Sequence, residues 1–272
     1  MQEAKRNVTN ENDLQRIKEL RLMDDDFFSE ALDGKTEVVE YILNTILERD
    51  DIKAKSTKAQ VEYKSATKRS IKLDIQAEDV NGRLMDIEIQ RSDRGSGVRR
   101  ARFHSSMIDR ALLSKGDDFE DLVDTYVIFI TEKDKFGMGI PLYHIERKIS
   151  EMDNALFGDG AHILYVNGEY RNLEHPVGSL MHDFNCKDAK DMVNPLLAEE
   201  VRYLKETEGG RSQMSRILEE MRNEVAEKVT HNNAVNTALK LLARGRDSIE
   251  EITEITGLSL EEVRKLADNH KA

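Results

Sequence analysis

Cysteine is nearly absent: the chain has one, Cys186, in 272 residues. An internal disulfide is excluded, as is a cysteine-rich zinc site, and Cys186 reads as a small, partly buried hydrophobe. Long apolar runs are missing too. The longest strongly apolar run, Tyr126-Val-Ile-Phe-Ile130, falls far short of the ~20 residues that a membrane span needs. The polar N-terminus carries no signal-peptide core. These absences point to a soluble cytoplasmic protein with no membrane partner, long enough for one substantial core and a small accessory domain.

Positive charge is also in deficit. A net charge of −12 argues against a nucleic-acid partner, because DNA binding needs Lys and Arg to neutralise phosphates. The distribution reverses that inference. From Lys53 to Lys115, 15 Lys or Arg stand against 8 Asp or Glu, a local +7 that leaves −19 on the rest of the chain. Such a stretch marks an electrostatic footprint, with a solvated face of mixed charge as the competing reading.

The first 19 residues read as a polar arm or short helix. Asp24-Asp-Asp26-Phe-Phe28 leads into a helix over 36–47, which Thr36 can cap. Alternation predicts strands over 61–64, 70–79 and 84–90, and Gly95 to Gly97 breaks the chain before an arginine-rich helix over about 98–113. A buried strand over 126–131, further strands at 143–147 and 162–166, and helices at 176–184 and 194–205 follow. Glu208-Gly-Gly-Arg-Ser212 reads as a linker. The expected domains are an arm (1–19), a central domain (20–207) and a helical C-terminal region (208–272).

In that last region Met214, Ile217, Met221, Val225 and Val229 form an apolar stripe suited to a partner helix, through which a homo-oligomer could form. Residues 248–266 look like a helix-turn-helix, with Gly257 in the turn and Ser259 capping the second helix. From Asp247 onward the charge is −4 and the second helix begins Leu-Glu-Glu. Major-groove readers need donors there, so packing or oligomerisation is favoured over DNA reading.

The hairpin over 71–90 carries the chemistry. In Ile71-Lys-Leu-Asp-Ile-Gln-Ala77 and Met85-Asp-Ile-Glu-Ile89 the odd positions are apolar, so both strands turn odd residues inward. Partners in an antiparallel pair share a face, and their numbers must sum to an even value. A two-residue Asn81-Gly82 turn fails because it sets Asp74 against Ile89. A three-residue loop, Val80-Asn81-Gly82 with Gly82 left-handed, pairs 79 with 83, Asp74 with Glu88 and Lys72 with Gln90. Like charges directly opposite destabilise a sheet, so the pair calls for a bound cation, and carboxylate oxygens suit Mg²⁺ or Mn²⁺. The alternative is an ordinary charged outer face.

With Asp74 on one strand, Glu88-Ile-Gln90 on the next and α-β-β-β-α order around them, the chain resembles the PD-(D/E)XK nuclease superfamily. More narrowly it is similar to the recombination-promoting nuclease and putative transposase family. Asp25-Asp-Phe-Phe28, Tyr41-Ile-Leu-Asn-Thr-Ile-Leu47, Arg100-Ala-Arg-Phe-His-Ser-Ser106, Gly116-Asp-Asp-Phe-Glu-Asp-Leu122 and Tyr126-Val-Ile-Phe-Ile130 all look like that family's blocks, over roughly 20–205. The resemblance implies an α/β restriction-endonuclease-like core, a central mixed β-sheet flanked by helices in α-β-β-β-α-β order, with an all-helical C-terminal tail.

It also implies metal-assisted hydrolysis of DNA phosphodiesters, tied to recombination or mobile elements, with Asp74, Glu88 and Gln90 catalytic. Asp74 and Glu88 match the metal-binding carboxylates. Gln90 stands where the superfamily motif has Lys and offers only neutral hydrogen bonds, although the narrower family commonly has Gln. Asp25 matches an acidic residue that completes the metal shell, with Asp24 or Asp26 as its substitutes. Arg99, Arg100, Arg102 and Lys72 would grip DNA phosphates without reading sequence, or else lie on solvated faces. His104 reads as a satisfied, half-buried histidine. His144, His162, His175, His182 and His231 show no metal-ligand spacing. A non-catalytic DNA-binding or oligomerising protein on the same fold is the alternative function, motivated by Gln90 and the tail.

Overall fold

The computed structural model describes residues 11–64, 70–91 and 96–271. Gly95, the first ten residues of the expected arm, and the parts of the basic stretch at 65–69 and 92–95 lie outside the described residues. Three helices come first: α1 (Glu11–Glu19), α2 (Asp25–Leu32) and α3 (Thr36–Leu47). Residues 11–19 are not a free arm, because Ile17 of α1 is buried in the core. Thr36 begins α3 but does not cap it, since Lys35 takes the cap position and makes no side-chain cap bond.

Three strands follow, β1 (Ala54–Tyr63), β2 (Ile71–Asp79) and β3 (Leu84–Gln90), then α4 (Val98–Leu112), β4 (Thr125–Thr131) and β5 (Leu142–Ile145). A two-stranded ribbon of β6 (Lys148–Ile149) and β7 (Ala155–Leu156) precedes β8 (Ala161–Asn167). The main sheet has six strands in the order β1-β2-β3-β4-β8-β5. It is mixed: β1, β2 and β3 are antiparallel, β3, β4 and β8 are parallel, and β5 returns antiparallel at the edge. Helices α2 and α3 pack on β1, and α4 packs on β4 and β8. Every residue of β4 is buried, as a strand covered on both faces requires.

The hairpin adopts the register read from parity. Ile75 pairs with Ile87, Gln76 with Asp86, Ala77 with Met85 and Glu78 with Leu84. Gly82 closes the three-residue loop at φ 79°, a conformation that favours glycine. Asp79, fully buried, locks the turn by accepting from the Asn81 and Arg83 amides, both at 2.9 Å, and from Arg83 Nε at 2.7 Å.

The inward face, however, is not odd throughout. Ile71 and Leu73 of β2 share one apolar cluster with Leu84 of β3, Val127 and Phe129 of β4, and Ala101, Met107 and Ile108 of α4. Constant alternation cannot put odd residues of β2 beside even residues of β3. The changeover falls between Leu73 and Ile75, whose β1 partners Val61 and Ala59 flank Gln60 at a left-handed φ of 56°. The even face of β3 is therefore not a solvent face: α4 covers it, and Asp86 and Glu88 are fully buried.

Helices α5 (Pro176–Asn185), α6 (Pro195–Glu206), α7 (Glu208–Arg244), α8 (Ile249–Thr256) and α9 (Leu260–Lys271) complete the chain. Residues 208–212 are helical, not a linker. A Cβ on Gly210 would sit 2.1 Å from the Tyr203 carbonyl oxygen, so this glycine serves close approach of α6 and α7. The chain forms two compact units, 1–214 and 215–272. In the second, Ser248 makes a capping box with Glu251, Gly257 ends α8 in the left-handed region, and Ser259 accepts from the Glu262 amide at the start of α9. Among the described residues no helix is long and apolar enough to cross a membrane.

Candidate active site

The β2/β3 ladder ends at Ile75 and Ile87. At the next position the strands part, and two side chains replace the missing backbone partners. The Asp74 amide donates to Glu88 Oε1 at 3.1 Å, and the Ile89 amide donates to Asp74 Oδ2 at 2.9 Å. Asp74 and Glu88 are thus held facing each other at the fork, both buried. Because the ladder has ended, Lys72 and Gln90 do not pair.

Asp86 joins them. It stands two residues before Glu88 on the same face of β3 and is fully buried, with Oδ2 3.0 Å from His104 Nδ1 and, among the described residues, no hydrogen-bond partner for Oδ1. Sequence reading passed over this residue. Its signal was present in Asp86-Ile-Glu88, since strand periodicity puts both acids on one side.

Helix α4 supplies the cationic wall. Arg100 Nη2 lies 2.7 Å from Glu88 Oε2, and Arg100 Nε donates to His104 Nε2 at 3.2 Å. That bond needs a lone pair on Nε2, so the imidazole proton sits on Nδ1 toward Asp86. His104 is only 2 % exposed, more deeply buried than expected, and it faces the site. One ligand atom each from Asp86, Glu88 and His104 lie within 4.8 Å of one another.

Asp25, the first residue of α2, lies at the exposed rim, near enough to Asp74 for the two carboxyls to shift one another. Its neighbour Asp24 is turned away, accepting from the Arg21 amide at 2.7 Å and from Arg91 Nη1 at 2.6 Å. Gln90 ends β3 beside Thr131 and is half-buried. Its carbonyl accepts from the Glu132 amide, and its side chain makes no hydrogen bond among the described residues.

Burial dominates the electrostatics. It pushes Asp74 up to about 9, with the charges of Glu88 and Asp25 adding to the effect. Glu88 rises to about 8 through burial and then Asp86. Asp86 is raised well above the carboxylate range by burial and Asp74, and burial raises Asp25. Such crowded buried carboxylates ionise only with a compensating cation. Both ring nitrogens of His104 are engaged, so the donor set is hard carboxylate oxygen, with Asp86 Oδ1 as a further ligand atom, and these residues fit Mg²⁺ or Mn²⁺.

Beside the carboxylates a cleft of about 670 Å³ is lined by Lys72, Arg99, Arg100 and His104 among others. Lys72 and Arg99 are exposed in it. Arg102 is exposed elsewhere on α4 and does not line the cleft. The site therefore gathers Asp25, Asp74, Glu88, Lys72, Arg99 and Arg100 from the residues singled out in sequence, adds Asp86 and His104, and leaves Arg102 out.

A family model described as a PD-(D/E)XK nuclease family transposase matches residues 26–174. The match covers more than half of the chain and holds Asp74, Asp86, Glu88, Arg100 and His104, while Asp25 lies one residue ahead of it. No curated protein and no solved structure matches the chain.

Proposed function

The chain belongs to the PD-(D/E)XK nuclease family transposases, and from that membership we propose a divalent-metal-dependent DNA endonuclease acting in the cytoplasm in recombination or on mobile elements. The fold is the restriction-endonuclease-like α/β architecture that membership implies. One observation carries the reading: Asp74 and Glu88 at the β2/β3 fork and Asp86 beside Glu88 are buried together, with an Asp86 oxygen that has no hydrogen-bond partner among the described residues.

Asp74, Glu88 and Asp86 would hold the cation, Asp25 would close its shell from the rim, and Mg²⁺ or Mn²⁺ suits the donors. The bound ion supplies Lewis-acid activation of water and phosphate. The chain's own residues do the rest. Lys72 and Arg99 would hold the phosphate backbone at the cleft, giving position without sequence readout. Arg100, already against Glu88, can move onto phosphate charge once a cation satisfies that carboxylate. Gln90, unengaged on the same face, offers a neutral hydrogen bond where the superfamily motif has a lysine. In the C-terminal region exposed Val225 and Val229 on α7 favour oligomerisation over groove reading.

The test incubates supercoiled plasmid with the protein in Mg²⁺ or Mn²⁺, beside Glu88→Ala and Gln90→Ala. Cleavage by wild type that disappears in Glu88→Ala is expected, with Gln90→Ala reporting what the amide contributes. DNA binding without cleavage by wild type would favour the non-catalytic binding protein instead.

A further inference from the structure

A second constellation lies on the other face of the sheet. His144 and Glu146 stand two residues apart where β5 ends, so they share a face. His144 pairs with Leu164 and Ile145 with Ile163, a register whose next step sets Glu146 against His162. One ligand atom each from His144, Glu146 and His162 lie within 4.8 Å of one another, and His144 Nε2 is 3.7 Å from a Glu146 oxygen.

His162 is held by stacking on Tyr126, with ring centroids 4.5 Å apart, and its buried Nδ1 has no hydrogen-bond partner among the described residues. A buried imidazole nitrogen without a partner calls for an explanation, and a bound ion beside the ring supplies one. Its β8 neighbours Ile163 and Tyr165 face the α4 cluster, so His162 points away from the side that carries Glu88. The two sites are separate.

We propose that His144, Glu146 and His162 bind one transition-metal ion of the Zn²⁺ type, fastening the edge strand β5 to β8. Two imidazoles and a carboxylate suit a borderline cation better than Mg²⁺. Zinc bonds of about 2.0–2.2 Å place tetrahedral ligand atoms about 3.3 Å apart, close to the His144–Glu146 separation. Cross-strand neighbours can close the remainder by rotamer changes alone. The side chains of His144 and Glu146 are 44 % and 29 % exposed, which leaves water a fourth position. A strand of only four residues at a sheet edge gains most from such a fastening.

The experiment titrates full-length protein carrying Asp74→Asn and Glu88→Gln, which disable the carboxylate centre, with Zn²⁺ by calorimetry, with thermal melts alongside. One ion per chain and a raised melting temperature are expected. Adding His144→Ala, an exposed change that spares the core, should weaken binding at least tenfold and cancel the thermal rise, and His162→Gln should do the same. Co²⁺ in place of Zn²⁺ should give a tetrahedral absorption band that His144→Ala removes. Zn²⁺ uptake unchanged by either histidine substitution, or no uptake at all, overturns the site.

Discussion

The Asp74 amide donates to Glu88 Oε1 while Asp74 Oδ2 accepts from Ile89, so the two acids hold open the fork at which they sit. Removing either one strands a buried amide. Asp74→Ala should cost about 1–3 kcal/mol for the unmet Ile89 N–H. Asp74→Asn keeps an acceptor there and removes the proton uptake that burial imposes on Asp74 when the chain folds, so at pH 8 it should be neutral or stabilising. Urea unfolding of both variants in EDTA checks this, and equal losses would contradict it.

Metal-free stability should fall as pH rises. Folded Asp74 and Glu88 titrate near 9 and 8, while unfolded carboxyls titrate near about 4. The folded state keeps protons that the unfolded state releases across that window. Stability is therefore complete below the unfolded values and is lost as pH climbs through the folded ones, by about 1.4 kcal/mol per pH unit for each retained proton. Melts in EDTA from pH 5 to 9 should slope downward, less steeply in Asp74→Asn. A flat wild-type profile would remove the electrostatic argument for the site.

Cation binding should expel those protons. Mn²⁺ calorimetry at pH 7 in two buffers of different ionisation enthalpy should give different apparent heats, and affinity should tighten between pH 6 and 8. Glu88→Gln should weaken Mn²⁺ binding by about 10-fold or more. Identical heats in both buffers would mean that no proton leaves.

The arginines should separate by position. Arg99 lines the cleft and Arg102 does not. Arg99→Ala should weaken DNA binding across sequences and lower the salt slope by about 1, while Arg102→Ala leaves both near wild type. Equal effects would imply a DNA path along the outside of α4.

Asp79 answers for the hairpin. With three contacts to the turn and full burial, Asp79→Ala should cost about 3–5 kcal/mol by stranding the turn amides and leaving Arg83 only the more distant Asp51 at 3.8 Å. Thermal unfolding measures it, and a loss under about 1 kcal/mol would show that the loop holds its register without this lock.

The order of elements, the three-residue loop and the opposition of Asp74 to Glu88 were legible in the sequence. They follow from local rules: strand periodicity of two, parity in antiparallel pairs, and the tolerance of Gly82 for positive φ. The capping Ser259 and the turn glycine Gly257 of the C-terminal hairpin were legible for the same reason.

What lay outside local rules was decided by tertiary structure. Gly209-Gly210 signals a linker until α6 comes close enough to require a missing Cβ. The even face of β3 reads as solvated until α4 covers it, and only that covering buries Asp86 and brings His104 to it. His144 and His162 have no spacing that suggests a shared site, because β5 and β8 pair across the β6/β7 ribbon. Periodicity fixes which way a side chain points along its own strand, whereas neighbours in space depend on which strands pair and which helix closes over them.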